Sequence, residues 1–397
     1  MDTVSLIQDA EAKLIEPLFR FCPLCLKDIQ SQRYLATYPY TEGPGKIQVI
    51  RQIIRTLKPL RESAPLLKLF EKFEAFMWAI GKRDHFIHQF EVFLLGWYIF
   101  SALTEKTGSD RIEISGLGPI DSEVFFEYWL LTAMGHDLGY PLQESPNIIS
   151  ELRKLHQDGR LRGVANLYLA FWKTLTCRNQ QNHLPWVENL LNKQGKKINQ
   201  HIIMGLQFSL KISPEAARKI GMDLAEANNN HGYLSALLIG NALYPTFARR
   251  GLDSSNTSVH LYRLLLAAIA LHHIKGEQQK EKDIIREIDF STNPFAYLLY
   301  VADNLQEWSR PPGASPEGAA PETLLTSCHA IGGQIGLVFV TRHDSWGAQL
   351  SRQVLKEVNA ASRRLKIPRG PRSGVKLKVM YSFNNINMEP KILSLAI

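Results

Sequence analysis

Cysteine is scarce in this chain, four residues in 397, too few at this size for a disulfide framework. Only Cys22 and Cys25, in FCPLC, stand close together. A zinc ribbon would want a second such pair, and Cys177 and Cys328 each stand alone. Long hydrophobic runs are missing as well. The most apolar stretch, VFLLGWYIFSAL at 92–103, falls short of the about 20 residues that span a bilayer and reads as a buried helix. No export signal is expected from the opening MDTVSLIQDAEAKLIEP, which is acidic and amphipathic. There is no P-loop, no Gly-rich dinucleotide turn and no serine nucleophile elbow, so those routes to nucleotide binding or acyl transfer are not expected. What remains is the expectation of a reduced, soluble, cytoplasmic protein.

The residues that are present describe a folded chain. Hydrophobic residues make up 45% and charged residues 21%, which excludes extensive disorder. A formal charge of +8 favours anionic partners such as phosphates, nucleotides or nucleic acid.

Residues 1–60 read as a helical segment with irregular joints around Pro23, Pro39 and TEGPG. In APLLKLFEKFEAFMWAI (64–80) the apolar residues recur at three- and four-residue spacing, an amphipathic helix. DHFIHQFEVFLLGWYIFSALTEK (84–106) is a long helix, and TGSDRIEISGLGPIDSE has the turn residues of a small hairpin. Asp121 or Ser122 is placed to cap a helix over EVFFEYWLLTAM. Residues 143–226 are polar and helical. Apolar helices return in HGYLSALLIGNAL, LYRLLLAAIALHHI and PFAYLLYVADNLQEW. Residues 311–323 are a linker by composition. Beyond them, from 324 to 397, IGLVFVT and VKLKVMYSF are strand-like around a helix-like WGAQLSRQVLKEVNAASRRL. The fold class expected is mainly α, a helical bundle with a small C-terminal α+β module.

Histidine and aspartate recur inside the most apolar segments: His85 and His88, the pair His136–Asp137, His231, the pair His272–His273, and Asp303. A lone histidine on an apolar helix is usually a satisfied core residue. Together they are harder to absorb, because buried imidazoles and carboxylates cost several kcal/mol unless paired or metal-bound. A divalent cation held by ring nitrogens and carboxylate oxygens satisfies the whole set.

This order of residues resembles the HD superfamily of metal-dependent phosphohydrolases. HQFEV at 88–92 fits the first histidine of that family, GHDLGYP at 135–141 fits its His-Asp doublet, and VADNL at 301–305 fits its closing aspartate. The resemblance spans roughly residues 80–310 and makes residues 61–310 an HD domain, with a long insertion at about 143–230. It implies an HD-type helical bundle, one or two divalent metal ions (Mn, Fe, Mg, Co or Zn), and metal ligands His88, His136, Asp137 and Asp303. HGYLSA and ALHHI resemble the extra histidines of two-metal members, which adds His231, His272 and His273. His88 is the better ligand on this reading and His85 its neighbour.

The resemblance implies that Asp137 bridges two cations, which bring a bound water toward neutral pKa and so supply a hydroxide nucleophile at pH 7. It leaves His231 two roles, as a ligand or as the acid that protonates the leaving group. Departures are informative. The letters GYP match the triplet of cyclic-di-GMP phosphodiesterases, but there the triplet follows the paired histidines, and a lysine stands where this chain has Tyr140. Triphosphohydrolases of deoxynucleotides usually continue with a histidine at that place; the surrounding texture is nearer to theirs.

The expected activity is hydrolysis of a nucleotide or nucleotide-like phosphoester, with Asp137 and His231 catalytic and Tyr140 and Arg310 against the substrate. Three alternatives share the same ligand set: an HD-type nuclease of single strands, a di-iron HD oxygenase, and a nucleotide-sensing regulatory protein. The basic run RRLKIPRGPRSGVKLK (363–378) is placed to contact a nucleic acid backbone or to be a solvated loop. A homo-oligomer is compatible with the insertion, which could be a lid or a dimer surface.

Overall fold

Apolar periodicity sets the helices, and helices dominate the computed structural model. It describes residues 3–20, 29–41, 44–56, 64–79, 84–107, 111–140, 193–226, 230–249, 256–274, 279–306, 322–331, 334–342, 376–383 and 391–396. Among these are α1 (Thr3–Arg20), α2 (Ile29–Thr37), α3 (Pro44–Thr56), α4 (Ala64–Ala79) and α5 (Asp84–Thr107). A hairpin of β1 (Arg111–Ile114) and β2 (Gly118–Asp121) precedes α6 (Ser122–Gly135). Then come α7 (Lys193–Leu210), α8 (Pro214–Glu226), α9 (His231–Arg249), α10 (Thr257–Leu271), α11 (Gln279–Arg286) and α12 (Pro294–Gln306). Strands β3 (Glu322–Ile331), β4 (Gln334–Arg342), β5 (Lys376–Phe383) and β6 (Lys391–Ala396) close the chain. The fold is mainly α with a small C-terminal strand module, as the sequence implies. The helix expected at 346–365 lies outside the described residues.

The chain divides into two compact units, each assembled from separated segments. The first gathers Met1–Leu57, Phe90–Trp129 and Ile274–Ile397; the second gathers Lys58–Gln89 and Leu130–His273.

In the first unit the apolar part of α5 meets α6 and α12 through aromatic rings. Phe100 stacks on Phe125 at 4.1 Å between centroids, and Phe125 on Phe295 at 4.9 Å. The buried Trp129 indole N–H donates to the Phe93 carbonyl at 3.0 Å, so the polar tip of a large ring costs little. The window His85–Glu105 has the length and hydropathy of a membrane span, longer than the apolar run of the sequence suggests, because the helix extends past it at both ends. Of that window, 83% is buried inside the protein, the position of a core helix. The C-terminal sheet has the order β3-β4-β5-β6. β3/β4 and β5/β6 pair antiparallel and β4/β5 pair parallel. Ile335, Leu337, Phe339, Leu377 and Val379 alternate onto its buried face, and β3 packs along α1.

In the second unit α10 is the central element, with every residue from Leu261 to Leu271 buried. Asn256 caps it, its side chain accepting from the Ser258 amide at 2.9 Å. α7 and α9 pack on α10, and α8 packs on α7. The crossing of α7 is close because Gly205 has no side chain: a Cβ there would lie 2.1 Å from the Arg263 carbonyl oxygen. Within the insertion, Lys211 takes a positive φ of 53° that ends α7, and the Ser213 hydroxyl accepts from the Ala216 amide to start α8.

Candidate metal centre

Four helix ends of the second unit deliver the histidines. The first turn of α5 carries His85 and His88, three residues apart and therefore on one face; both are buried. α6 ends at Gly135, and His136 and Asp137 follow in the turn just beyond it. α10 ends at Leu271, and His272 follows it in the same way.

His136 and His272 share one device. The Nδ1–H of His136 donates to the Ala133 carbonyl at 2.6 Å, and that of His272 to the Ile269 carbonyl at 2.6 Å. Each acceptor is a last-turn carbonyl that lacks an amide partner within its helix. The bond places a ring proton on Nδ1 and leaves Nε2 as the atom each ring turns toward Asp137. This is the reason an apolar helix can end on a histidine.

The turn holding Asp137 is tied to α9. The Gly139 amide donates to the Ser235 hydroxyl at 2.7 Å, and the Tyr140 amide to the Asp137 carbonyl at 2.9 Å. Gly139 is required there, since a Cβ would lie 2.3 Å from the His231 carbonyl oxygen. His231 opens α9, whose first turn is capped by Asn230 accepting from the Tyr233 amide at 3.0 Å.

The imidazoles close around one carboxylate. Asp137 Oδ2 lies 3.3 Å from His85 Nδ1, 3.5 Å from His136 Nε2 and 3.9 Å from His88 Nε2. Asp137 Oδ1 lies 3.2 Å from His231 Nε2 and 3.6 Å from His272 Nε2. The Nε2 atoms of His231 and His272 are 2.9 Å apart. Burial alone would raise the Asp137 carboxyl, but the His136 imidazole and the contacts from His231, His272 and His85 outweigh it and hold it well below the usual carboxylate range. Burial lowers His231 to about 4 despite the opposing Asp137 carboxylate, so its ring is neutral at pH 7.

His136, Asp137 and His272 each offer a ligand atom within 4.8 Å of the others. Imidazole nitrogen with carboxylate oxygen is a donor set that divalent metals take. These buried groups could hold a metal ion.

The structure thus brings together His88, His136, Asp137, His231 and His272. His273 is half-buried, its ring 4.3 Å from that of His231. Tyr140 is half-buried between His85 and His231, at 4.4 and 5.7 Å between ring centroids. Asp303 lies buried on α12 in the first unit. Arg310 lies outside the described residues, as does all of the basic run except its final part, where Lys376 and Lys378 are exposed on β5. His85, set aside as a neighbour on sequence, comes closer to Asp137 than His88 does; the H-x-x-H spacing at the start of a helix is the signal that points to it.

No protein-family model, curated protein or solved structure matches the chain. The cluster is compatible with the HD type of site, on geometry alone.

Proposed function

We propose that the chain is a metal-dependent phosphohydrolase of the HD type that cleaves a nucleotide or nucleotide-like phosphoester. One observation carries this reading: a single buried, ionised carboxylate has imidazoles on both of its oxygens. His85, His88 and His136 face Oδ2, while His231 and His272 face Oδ1. A carboxylate flanked in this way could be shared by bound cations that His88, His136, His231 and His272 would also hold.

Bound divalent ions supply a water of lowered pKa and positive charge against phosphoryl oxygens. The protein's part is to prepare the place. The carbonyls of Ala133 and Ile269 hold two rings with Nε2 turned toward Asp137. The apolar ends of α6 and α10 keep bulk water from the donor atoms, which strengthens each charge interaction there. Tyr140, half-exposed among buried histidines, borders the centre and is the side chain we assign to the substrate.

The test is phosphate release from nucleotides, cyclic dinucleotides and short oligonucleotides with Mn, Mg, Fe, Co or Zn, for the wild type and Asp137→Asn. The wild type should take up one to two ions per chain and release phosphate. The asparagine variant should lose most of both, because a neutral amide cannot bridge two cations. Cleavage of oligonucleotides alone would make it a nuclease, and dioxygen consumption with iron an oxygenase. Nucleotide binding without turnover would make it a sensor. An Asp137→Asn protein with its full metal complement would remove Asp137 from the bridge.

A further inference from the structure

We propose that His85 is a positioning residue of the metal centre: its Nδ1–H donates to Asp137 Oδ2 and fixes the carboxylate so that both oxygens keep their orientation. The proposal rests on reading the cluster as a metal centre and adds a residue to it.

His85 breaks the pattern of its neighbours. His88, His136, His231 and His272 all approach Asp137 through Nε2, whereas His85 approaches through Nδ1. Its contact with Oδ2, at 3.3 Å, is shorter than those of His136 and His88, at 3.5 and 3.9 Å. His136 gives its Nδ1–H to the Ala133 carbonyl. A buried carboxylate oxygen is stabilised by a donor, and His85 is placed to be one. Tyr140 packs on the His85 ring at 4.4 Å with 34° between planes, which holds the ring in the plane that aims Nδ1. Because Asp137 sits on a turn beyond a helix end rather than within a helix, its side chain needs such a restraint.

Donors that support a ligand in this way are worth roughly 10–100-fold in metal affinity. The experiment measures the affinity for cobalt and zinc by chelator competition, with the cobalt absorption spectrum at saturation, in His85→Ala, His85→Asn, His85→Gln and His88→Ala. An asparagine places its amide N–H near the position of Nδ1; a glutamine places it near Nε2. We expect His85→Ala to weaken binding by roughly 10–100-fold, His85→Asn to restore most of the loss, and His85→Gln to restore little. At saturating cobalt the spectra of the His85 variants should match the wild type, while that of His88→Ala should differ, because only the latter removes a ligand. A changed spectrum in His85→Ala without rescue by asparagine would make His85 a ligand and overturn the proposal. Wild-type affinity in His85→Ala would overturn it too, with the metal centre intact. Wild-type protein that takes up no metal would instead remove the centre and this role with it.

Discussion

At the scale of single residues, the cluster turns on which nitrogen each histidine presents. His231 is the residue whose role that decides. Its Nε2 lies on the Oδ1 side of Asp137, 2.9 Å from His272 Nε2, and its ring stays neutral at pH 7 with a pKa lowered to about 4. Its position, with Nε2 beside Asp137 Oδ1 and His272 Nε2, favours coordination. His231→Ala should therefore lower metal content and phosphate release together. Full metal content with slow turnover, spared on substrates with good leaving groups, would assign it to the leaving-group proton instead. Most of this centre can be read from the sequence, because histidines in apolar helices are conspicuous. HQFEV selects His88 alone, while the turn of a helix brings His85 onto the same face. Which nitrogen faces Asp137 is not encoded locally at all; it follows from how each helix ends.

Elements are joined by a second buried cluster, in the first unit. Lys46 of α3 forms an ion pair with Glu11 of α1 and reaches Glu91 of α5 at 3.5 Å. The Tyr38 hydroxyl donates to Glu91 at 3.4 Å, and Lys46 lies 4.7 Å from the centre of the Tyr38 ring. Two carboxylates thus share one cation, and burial raises Glu11 from its ordinary 4.5 to about 7, against the pull of Lys46. Between pH 4.5 and about 7 the folded chain keeps a proton that the unfolded chain has released. Glu11 therefore contributes stability that is full below pH 4.5 and is lost as pH rises toward 7. His231 works in the opposite sense: its folded pKa of about 4 lies below its ordinary 6.5, so it adds stability as pH rises. The wild-type curve mixes the two, and Glu11→Gln separates them. Relative to the wild type, the glutamine variant should gain on the order of 1–3 kcal/mol between pH 5 and pH 8 in chemical denaturation. A difference that does not change with pH would show that Glu11 titrates normally. Of the helices carrying these groups, α5 (Asp84–Thr107) falls close to the 84–106 that the sequence places, while residues 1–60 read only as helical with irregular joints. The cluster is not legible, since Glu11, Lys46 and Glu91 are ordinary surface residue types that only packing brings together. The same holds for the sheet: two strand-like runs announce β4 and β5, but their parallel pairing is decided by the chain between them.

For the whole molecule, the question is whether the C-terminal strands are an appendage or part of a core. Composition at 311–323 suggests a linker before them, and packing ties the strands to α1. β3 runs along α1, and the buried Cys328 thiol donates to the Ala10 carbonyl at 3.3 Å, across more than three hundred residues of sequence. Burial pushes that thiol up to about 12, so it behaves as a small apolar side chain at this joint rather than as a nucleophile. Ala10, Leu14 and Leu18, spaced four apart on α1, are all buried and form one stripe of the helix. A chain ended at residue 310 would lose the sheet and uncover such side chains. Each fully buried leucine or isoleucine is worth about 1.5–3 kcal/mol, against a total stability of only about 5–15 kcal/mol. The shortened protein should therefore precipitate, or melt well below the full chain without a cooperative transition in calorimetry. If it stays monodisperse with an unchanged Tm, the strands are an independent module and α1 has its core elsewhere. The same shortened protein also bears on the basic run, which it lacks: provided it still folds, unchanged binding of an oligonucleotide across a salt series would leave residues 363–378 no part in recognising a polyanion.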